Sequence, residues 1–253
     1  MAYTNIDDPS AYFQIKLWTG TGSSQTVNFD GNSDLQADWI WHKEHDDTNG
    51  WHQTDTSIGI ANYLATQDGA AEYGVGSAYV SGIGSNSISY GGGDSSFNSN
   101  SVEQATWAWK ANGGSTSSNT DGDLTSTVQV NSTAGFSIIT YTGKNPIEPL
   151  DIGHGLGEVS DVFIIKNRDR TANWGVYHKD LTSPAENRNL KLNLTNAEAA
   201  ESTFWRNEAP TSTMKISLLT HLLKDKATAS LASMSAMHVQ MVRLSIQVFN
   251  LLL

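Results

Sequence analysis

The densest set of potential ligands and acid–base groups is His42-Lys43-Glu44-His45-Asp46-Asp47. Two imidazoles three apart, flanked by carboxylates, form a zinc site when a helix brings both to one face. Here the run continues Asp38-Trp39-Ile40-Trp41, which reads as a strand, where residues three apart face opposite sides. A charged strand end or turn is the favoured reading. Asp30-Gly31-Asn32-Ser33-Asp34 and Asn119-Thr120-Asp121-Gly122-Asp123 carry oxygen ligands of the calcium type. Both lack the spacing and terminal Glu of a calcium loop, so turn chemistry explains them first. No cofactor is expected, and Ca2+ is the one weak candidate. No short motif sets two carboxylates on one strand face as a glycosidase pair, and no Gly-x-Ser-x-Gly elbow occurs. No catalytic, cofactor-binding or metal residue is assigned, and the chain reads as a non-enzyme.

Aromatic rings are the remaining chemistry. Exposed Trp stacks on the apolar faces of sugars, and Trp and Tyr dominate binding surfaces. Trp39 and Trp41 point the same way on a strand, as do Trp107 and Trp109. These four are the candidate ligand-binding residues. The competing reading, core packing, is favoured, because Val162 and Ile164 replace Trp39 and Trp41 in a second copy of the segment.

That second copy is visible in the chain. Phe13 to Gly20 resembles Phe136 to Gly143 at an offset of 123, and the same offset lays Asp38 to Lys43 on Asp161 to Lys166. Asp46, Thr48 and Trp51 then fall on Asp169, Thr171 and Trp174. Thr66 to Glu72 resembles Thr195 to Glu201 at offset 129, which implies a six-residue insertion. We read a duplicated module of roughly 120 residues. The first β module spans 1–110, a Gly/Ser/Asn linker 111–123, and the second β module 124–213, which reads as incomplete. Asp38/Asp161, Lys43/Lys166 and Asp46/Asp169 recur, and capping of turns with pairing of charges at strand ends is favoured over a polar site.

The elements holding these residues read as strands. Phe13, Ile15 and Leu17 alternate with polar neighbours, as do the small and aromatic residues of Ala105 to Trp109. Asp161 to Lys166 is a short apolar run, as a strand buried on both faces gives. The expected fold is all-β, with tandem β-sandwich or jelly-roll-like modules.

Composition excludes several functions. The formal charge is −11, so nucleic-acid binding, which needs Lys and Arg against phosphate, is not expected. No cysteine is present, which removes disulfides and thiolate sites. No apolar run reaches the length of about 18 residues that spans a membrane, and the first nine residues lack the pattern of a secretory signal.

IDDPSAYFQ, WTGTG, GNSDLQADWIWHK, SSNTDGDLTSTVQVNSTAGFSIITYTG, GHGLG, IIKNRD, NWGVYH and TFWRNEAPTS together resemble a family of repeat-bearing structural proteins of marine bacteriophages, tail or fibre associated and lectin-like (concanavalin A-like, LamG-type). The resemblance covers Ala2 to about Thr213. It implies a β-sandwich module in a virion, assembled in the host cytoplasm and released by lysis. It supplies no ligand and no catalytic residue. The expected partners are other virion or tail proteins, a second copy of the chain and a host-surface glycan. The alternative is a secreted-type carbohydrate-binding or carbohydrate-degrading sandwich of a marine bacterium.

After Thr213 the character changes. All 22 glycines lie at or before Gly175, and the 214–253 tail is rich in Leu, Met, Ala, Ser and Val. Codons for Met234 to Val248, read from the third base of Met234, permit VGNARSNGAFIYTGF, whose IYTG echoes Ile139-Thr140-Tyr141-Thr142-Gly143. A change of reading frame near Met214 to Ser217 is the favoured expectation. The alternative is a helical trimer-forming stem, because Met234, Met237, Met241, Leu244, Val248 and Leu251 follow coiled-coil spacing.

Overall fold

The computed structural model describes residues 6–74, 79–92, 96–143, 149–200, 211, 213–217 and 226–232. Among them the chain is all-β, with two 3-10 turns at Pro9–Ala11 and Ala185–Asn187. The first module contains β1 (Phe13–Thr19), β2 (Gln25–Asn28), β3 (Trp39–Glu44), β4 (His52–Asp55), β5 (Asn62–Ala65), β6 (Tyr73–Gly74), β7 (Val80–Gly84), β8 (Ser87–Tyr90) and β9 (Glu103–Trp109). They build a six-stranded sheet, β1-β9-β3-β4-β5-β6, and a three-stranded sheet, β2-β8-β7.

The second module contains β10 (Ser117–Asn119), β11 (Ser126–Asn131), β12 (Phe136–Thr142), β13 (Pro149–Gly153), β14 (Val162–Asn167), β15 (Gly175–His178), β16 (Arg188–Lys191), β17 (Ala199–Ala200), β18 (Thr213–Ser217) and β19 (Lys226–Ala232). Its large sheet runs β10-β11-β12-β19-β14-β15-β16-β17, and β13 pairs with β18.

The two large sheets share one plan. An offset of 123 carries the bounds of β1, β3, β4 and β9 onto those of β12, β14, β15 and β19. Register follows: Phe13 opposes Trp109 as Phe136 opposes Ala232, and Trp41 opposes Trp107 as Ile164 opposes Ser230. Further along, Asn62 opposes Gly74 as Arg188 opposes Ala200, an offset of 126. The insertion is therefore three residues, where the likeness of Thr66–Glu72 to Thr195–Glu201 implied six. Hydrogen-bond register decides the equivalence, and that likeness falls mostly in the loops before β6 and β17. Within 111–123, the segment read as a linker, Ser117–Asn119 forms β10 and pairs with β11. Residues 233–253, with the heptad-spaced Met234 to Leu251 set, lie outside the described residues.

Each module closes over its own core. Trp18, Ile40 and Ala108 of the first large sheet meet Val80, Ile88 and Tyr90 of the small one. Ile139, Tyr141, Phe163 and Ile165 meet Leu150 and Ile152 in the same way. Residue alternation puts the opposite set of side chains on the other face of each large sheet. Those two back faces pack against one another, giving four sheet layers in sequence. Each large sheet is thus apolar on both faces, which accounts for the unbroken apolar run at β14.

Candidate functional site

The four Trp candidates come together on the back face of the first large sheet. Cross-strand pairing sets Trp39 opposite Trp109 and Trp41 opposite Trp107, so alternation within two strands builds a single aromatic stripe. Ring centroids follow one another from Phe13 to Trp109 at 4.6 Å, Trp109 to Trp39 at 4.7 Å, and Trp39 to Trp41 at 5.7 Å. The chain of rings continues through Trp51, 5.6 Å from Trp41 and 5.4 Å from Trp107. These are edge-to-face and tilted contacts, the favoured arrangements of ring quadrupoles.

The stripe is a seam between modules. Trp39, Trp41, Trp109 and Ala111 pack against Phe136, Ile138 and Ala134 of the second module. Trp39 keeps 7% and Trp107 4% of their exposure, so neither offers a face to a sugar. The Trp41 indole donates to Thr66 Oγ1 at 2.9 Å. A second cluster joins Ile58 and Leu64 to Trp174, Ile164 and Leu192.

Polar groups knit the same seam. Trp174 Nε1 donates to the carbonyls of Ala65 (3.0 Å) and Asp68 (3.1 Å). Gln129 Nε2 donates to Thr56 Oγ1 and Ser57 Oγ at 2.8 and 2.6 Å. Arg168 grips Glu72 with two donors, Nε to Oε2 and a second nitrogen to Oε1 at 2.9 Å. Glycine at position 69 allows this approach, since a Cβ there would sit 3.0 Å from Ala172 O.

The recurring Asp and Lys positions hold turns. Lys43 Nζ donates to the carbonyls of Glu44 and Asp47, and Lys166 Nζ to those of Asn167 and Arg170, the same two positions 123 residues on. Lys166 also reaches Gly69 O across the seam at 3.1 Å. Burial pushes the Lys166 ammonium down to about 8 against the opposing pull of the Asp68 carboxylate. Asp38 accepts from the backbone N–H groups of Ala111, Gly113 and Gly114 at 2.8, 2.8 and 2.6 Å, and from Thr56 Oγ1. Gly113 and Gly114 have φ of +60° and +78°, a conformation that only glycine adopts cheaply, and it turns both N–H groups onto the carboxylate. Asp161, mostly covered, instead meets the half-exposed Lys179 at 3.2 Å. Asp46 meets His45 on the surface, while the Asp169 N–H donates to Asn167.

His42 and His45 part company. His42 opposes His52 across β3 and β4 inside the first core, with Phe97 stacked 5.0 Å from its ring, while His45 is exposed on the turn. Thr106 Oγ1 lies 3.2 Å from His42 Nδ1. Burial, reinforced by His52, drives the His42 pKa from 6.5 down to about 3. The folded protein therefore keeps His42 neutral while the unfolded chain takes up a proton below pH 6.5. Its contribution is full above pH 6.5 and is lost as pH falls toward 3, at up to about 1.4 kcal/mol per pH unit. Urea unfolding at pH 7 and pH 5 should show wild type losing about 2 kcal/mol more than His42→Phe. Equal losses in the two proteins would remove His42 as the cause. Comparison with the variant cancels Asp55, whose pKa burial raises and which works in the opposite sense.

Tyr73 is the widely exposed large aromatic among the described residues, at 42%. It stacks on Tyr63 at 4.9 Å and 12°, and Tyr63 leads through Tyr79 to Phe97. Tyr73 stands in a stretch rich in Gly and Ala, with no aromatic partner at strand spacing to single it out. In the oxygen-rich loops, Asp30 pairs with Lys16, Asp121 accepts from Asn119 Nδ2, and Asp123 from the Asp151 N–H. Among the described residues, no three His, Asp or Glu gather as metal ligands, and no helix is long and apolar enough to cross a membrane.

Residues 8–233 match the model of a domain of unknown function, DUF7483, over both modules and through β19. The chain belongs to this family. The tandem of two large sheets joined by the Trp seam thus falls within one family domain rather than between two. No curated protein matches the chain, and no solved structure does.

Proposed function

We propose that this chain is a non-enzymatic structural protein of a phage virion, tail or fibre associated, and that it contributes to attachment at host-surface glycans. The observation that carries the reading is the fused tandem. Trp rings bind module to module, and the recurring Asp38, Lys43 and Lys166 hold turns through backbone groups. Scaffold roles for these rings and charges support the structural reading. The likeness of the sequence to phage repeat proteins supports the location.

For glycan contact the ring in position is Tyr73, backed by Tyr63. The location is tested by mass spectrometry of gradient-purified particles from a phage carrying this gene. The chain should appear alongside the tail proteins, and its absence from particles would overturn the reading. Glycan contact is tested with the full chain on an array of bacterial surface polysaccharides. Tyr73→Ala should weaken binding at least tenfold, about 1.4 kcal/mol, while the chain stays folded, its stability reduced by no more than the about 0.5–1.5 kcal/mol of the lost stack on Tyr63. Undiminished binding by the variant would exclude Tyr73.

A further inference from the structure

The shared plan of the two large sheets exposes one difference between them. In the second module β11 pairs antiparallel along the whole outer edge of β12, from Asn131 opposite Phe136 to Ser126 opposite Tyr141. In the first module β1, the counterpart of β12, is the edge of its sheet among the described residues. The positions 123 residues before Gln129, Val130 and Asn131 are Ile6, Asp7 and Asp8, and these form no strand. Asp8 instead caps the 3-10 turn at Pro9–Ala11 and accepts from Ser33 Oγ, which directs the chain away from the edge.

The groups left on that edge can be named. Gly20 N–H donates to Val102 O, and Lys110 N–H donates to Tyr12 O. In an antiparallel ladder bonding alternates, so the even-numbered residues of β1 bond to β9. The N–H and C=O groups of Phe13, Ile15, Leu17 and Thr19 therefore point outward. The Thr19 carbonyl accepts from Gln25 Nε2. Among the described residues, no partner bonds to the outward groups of Phe13, Ile15 and Leu17. Leu17 is also the most exposed large apolar residue described, at 66%. An open edge with an apolar side chain is a template for strand addition.

We propose that a second copy of this chain occupies the edge, β1 against β1, about a two-fold axis at Ile15. The open stretch Phe13–Leu17 is centred on Ile15, and a two-fold axis makes the added strand antiparallel, as β11 is to β12. That register sets Leu17 against the second copy's Phe13 on one face. On the other it sets Lys16 against the second copy's Gln14. An axis at Lys16 would instead oppose two ammonium groups. The pairing joins two six-stranded sheets into one and covers Leu17. It stands independently of the virion reading.

Sedimentation equilibrium of the full chain at micromolar concentration tests it. Wild type should be dimeric. Leu17→Lys, which sets an ammonium against Phe13 of the other copy, should raise the dissociation constant at least tenfold. Leu17→Pro removes an outward N–H without touching a bond to β9 and should do the same. Both variants should match the unfolding midpoint of wild type diluted to its single copy, since Leu17 is exposed there. A monomeric wild type would overturn the proposal. So would a dimer, or a trimer built on another surface, that both variants leave unchanged.

Discussion

Trp39→Ala is expected to lower the free energy of unfolding by about 3–5 kcal/mol, the range for deleting a large buried aromatic. Trp39 contacts Trp41 and Trp109 within its own sheet and packs with Phe136 and Ile138 of the second. The cavity would lie between two hydrogen-bonded sheets, neither of which can close over it without breaking its ladder. The loss should fall on coupling as well as stability. Wild type should unfold in one urea transition followed by tryptophan fluorescence, while Trp39→Ala should separate into two as the modules part. A loss below about 1 kcal/mol with a single transition would mean that the seam is not what joins the modules.

The second large effect is at Asp38. Asp38→Ala would orphan the buried N–H of Ala111 and leave the part-buried N–H groups of Gly113 and Gly114 to water, so a loss of about 2–3 kcal/mol is expected. Asp38→Asn retains one carboxyl-type oxygen and should cost about half as much. The counterpart Asp161→Ala should cost less than about 1 kcal/mol, because its Lys179 partner is half exposed and screened by water. Parallel denaturation of the alanine variants checks both figures, and equal losses would refute the assignment. The two roles are those expected of the recurring aspartates, divided between the copies. One position holds a turn by its backbone N–H groups, and its duplicate holds an ion pair with a half-exposed lysine.

Much of the fold was legible in the residue pattern. Alternation at Phe13–Leu17 and Ala105–Trp109 marked β1 and β9, and the apolar run at 162–166 marked β14. The offset of 123 mapped strand onto strand. It failed at Thr66–Glu72, where a local likeness in a loop outweighed the pairing register of β5 with β6. Residues 69–101, rich in Gly and Ser and without clear alternation, contain β6, β7 and β8. Their apolar residues are sparse because β7 and β8 cover the core with one face only, through Val80, Ile88 and Tyr90.

The candidate site was less legible. The shared direction of Trp39 with Trp41, and of Trp107 with Trp109, follows from the period of two along a strand. What those rings face does not. Trp39 meets Phe136 and Ile138 across about a hundred residues of chain, and no local pattern separates a ring against a sugar from a ring against another sheet. Tyr73 was missed for the same reason, since its exposure depends on where β6 ends the sheet. By itself the sequence determined β1, β9 and β14, the duplication and which side chains share a face, because these depend on alternation and turn chemistry between near neighbours. Only the tertiary structure decided which face is buried, which edge is open and which charge is orphaned when cut, because burial is set by partners distant in the chain.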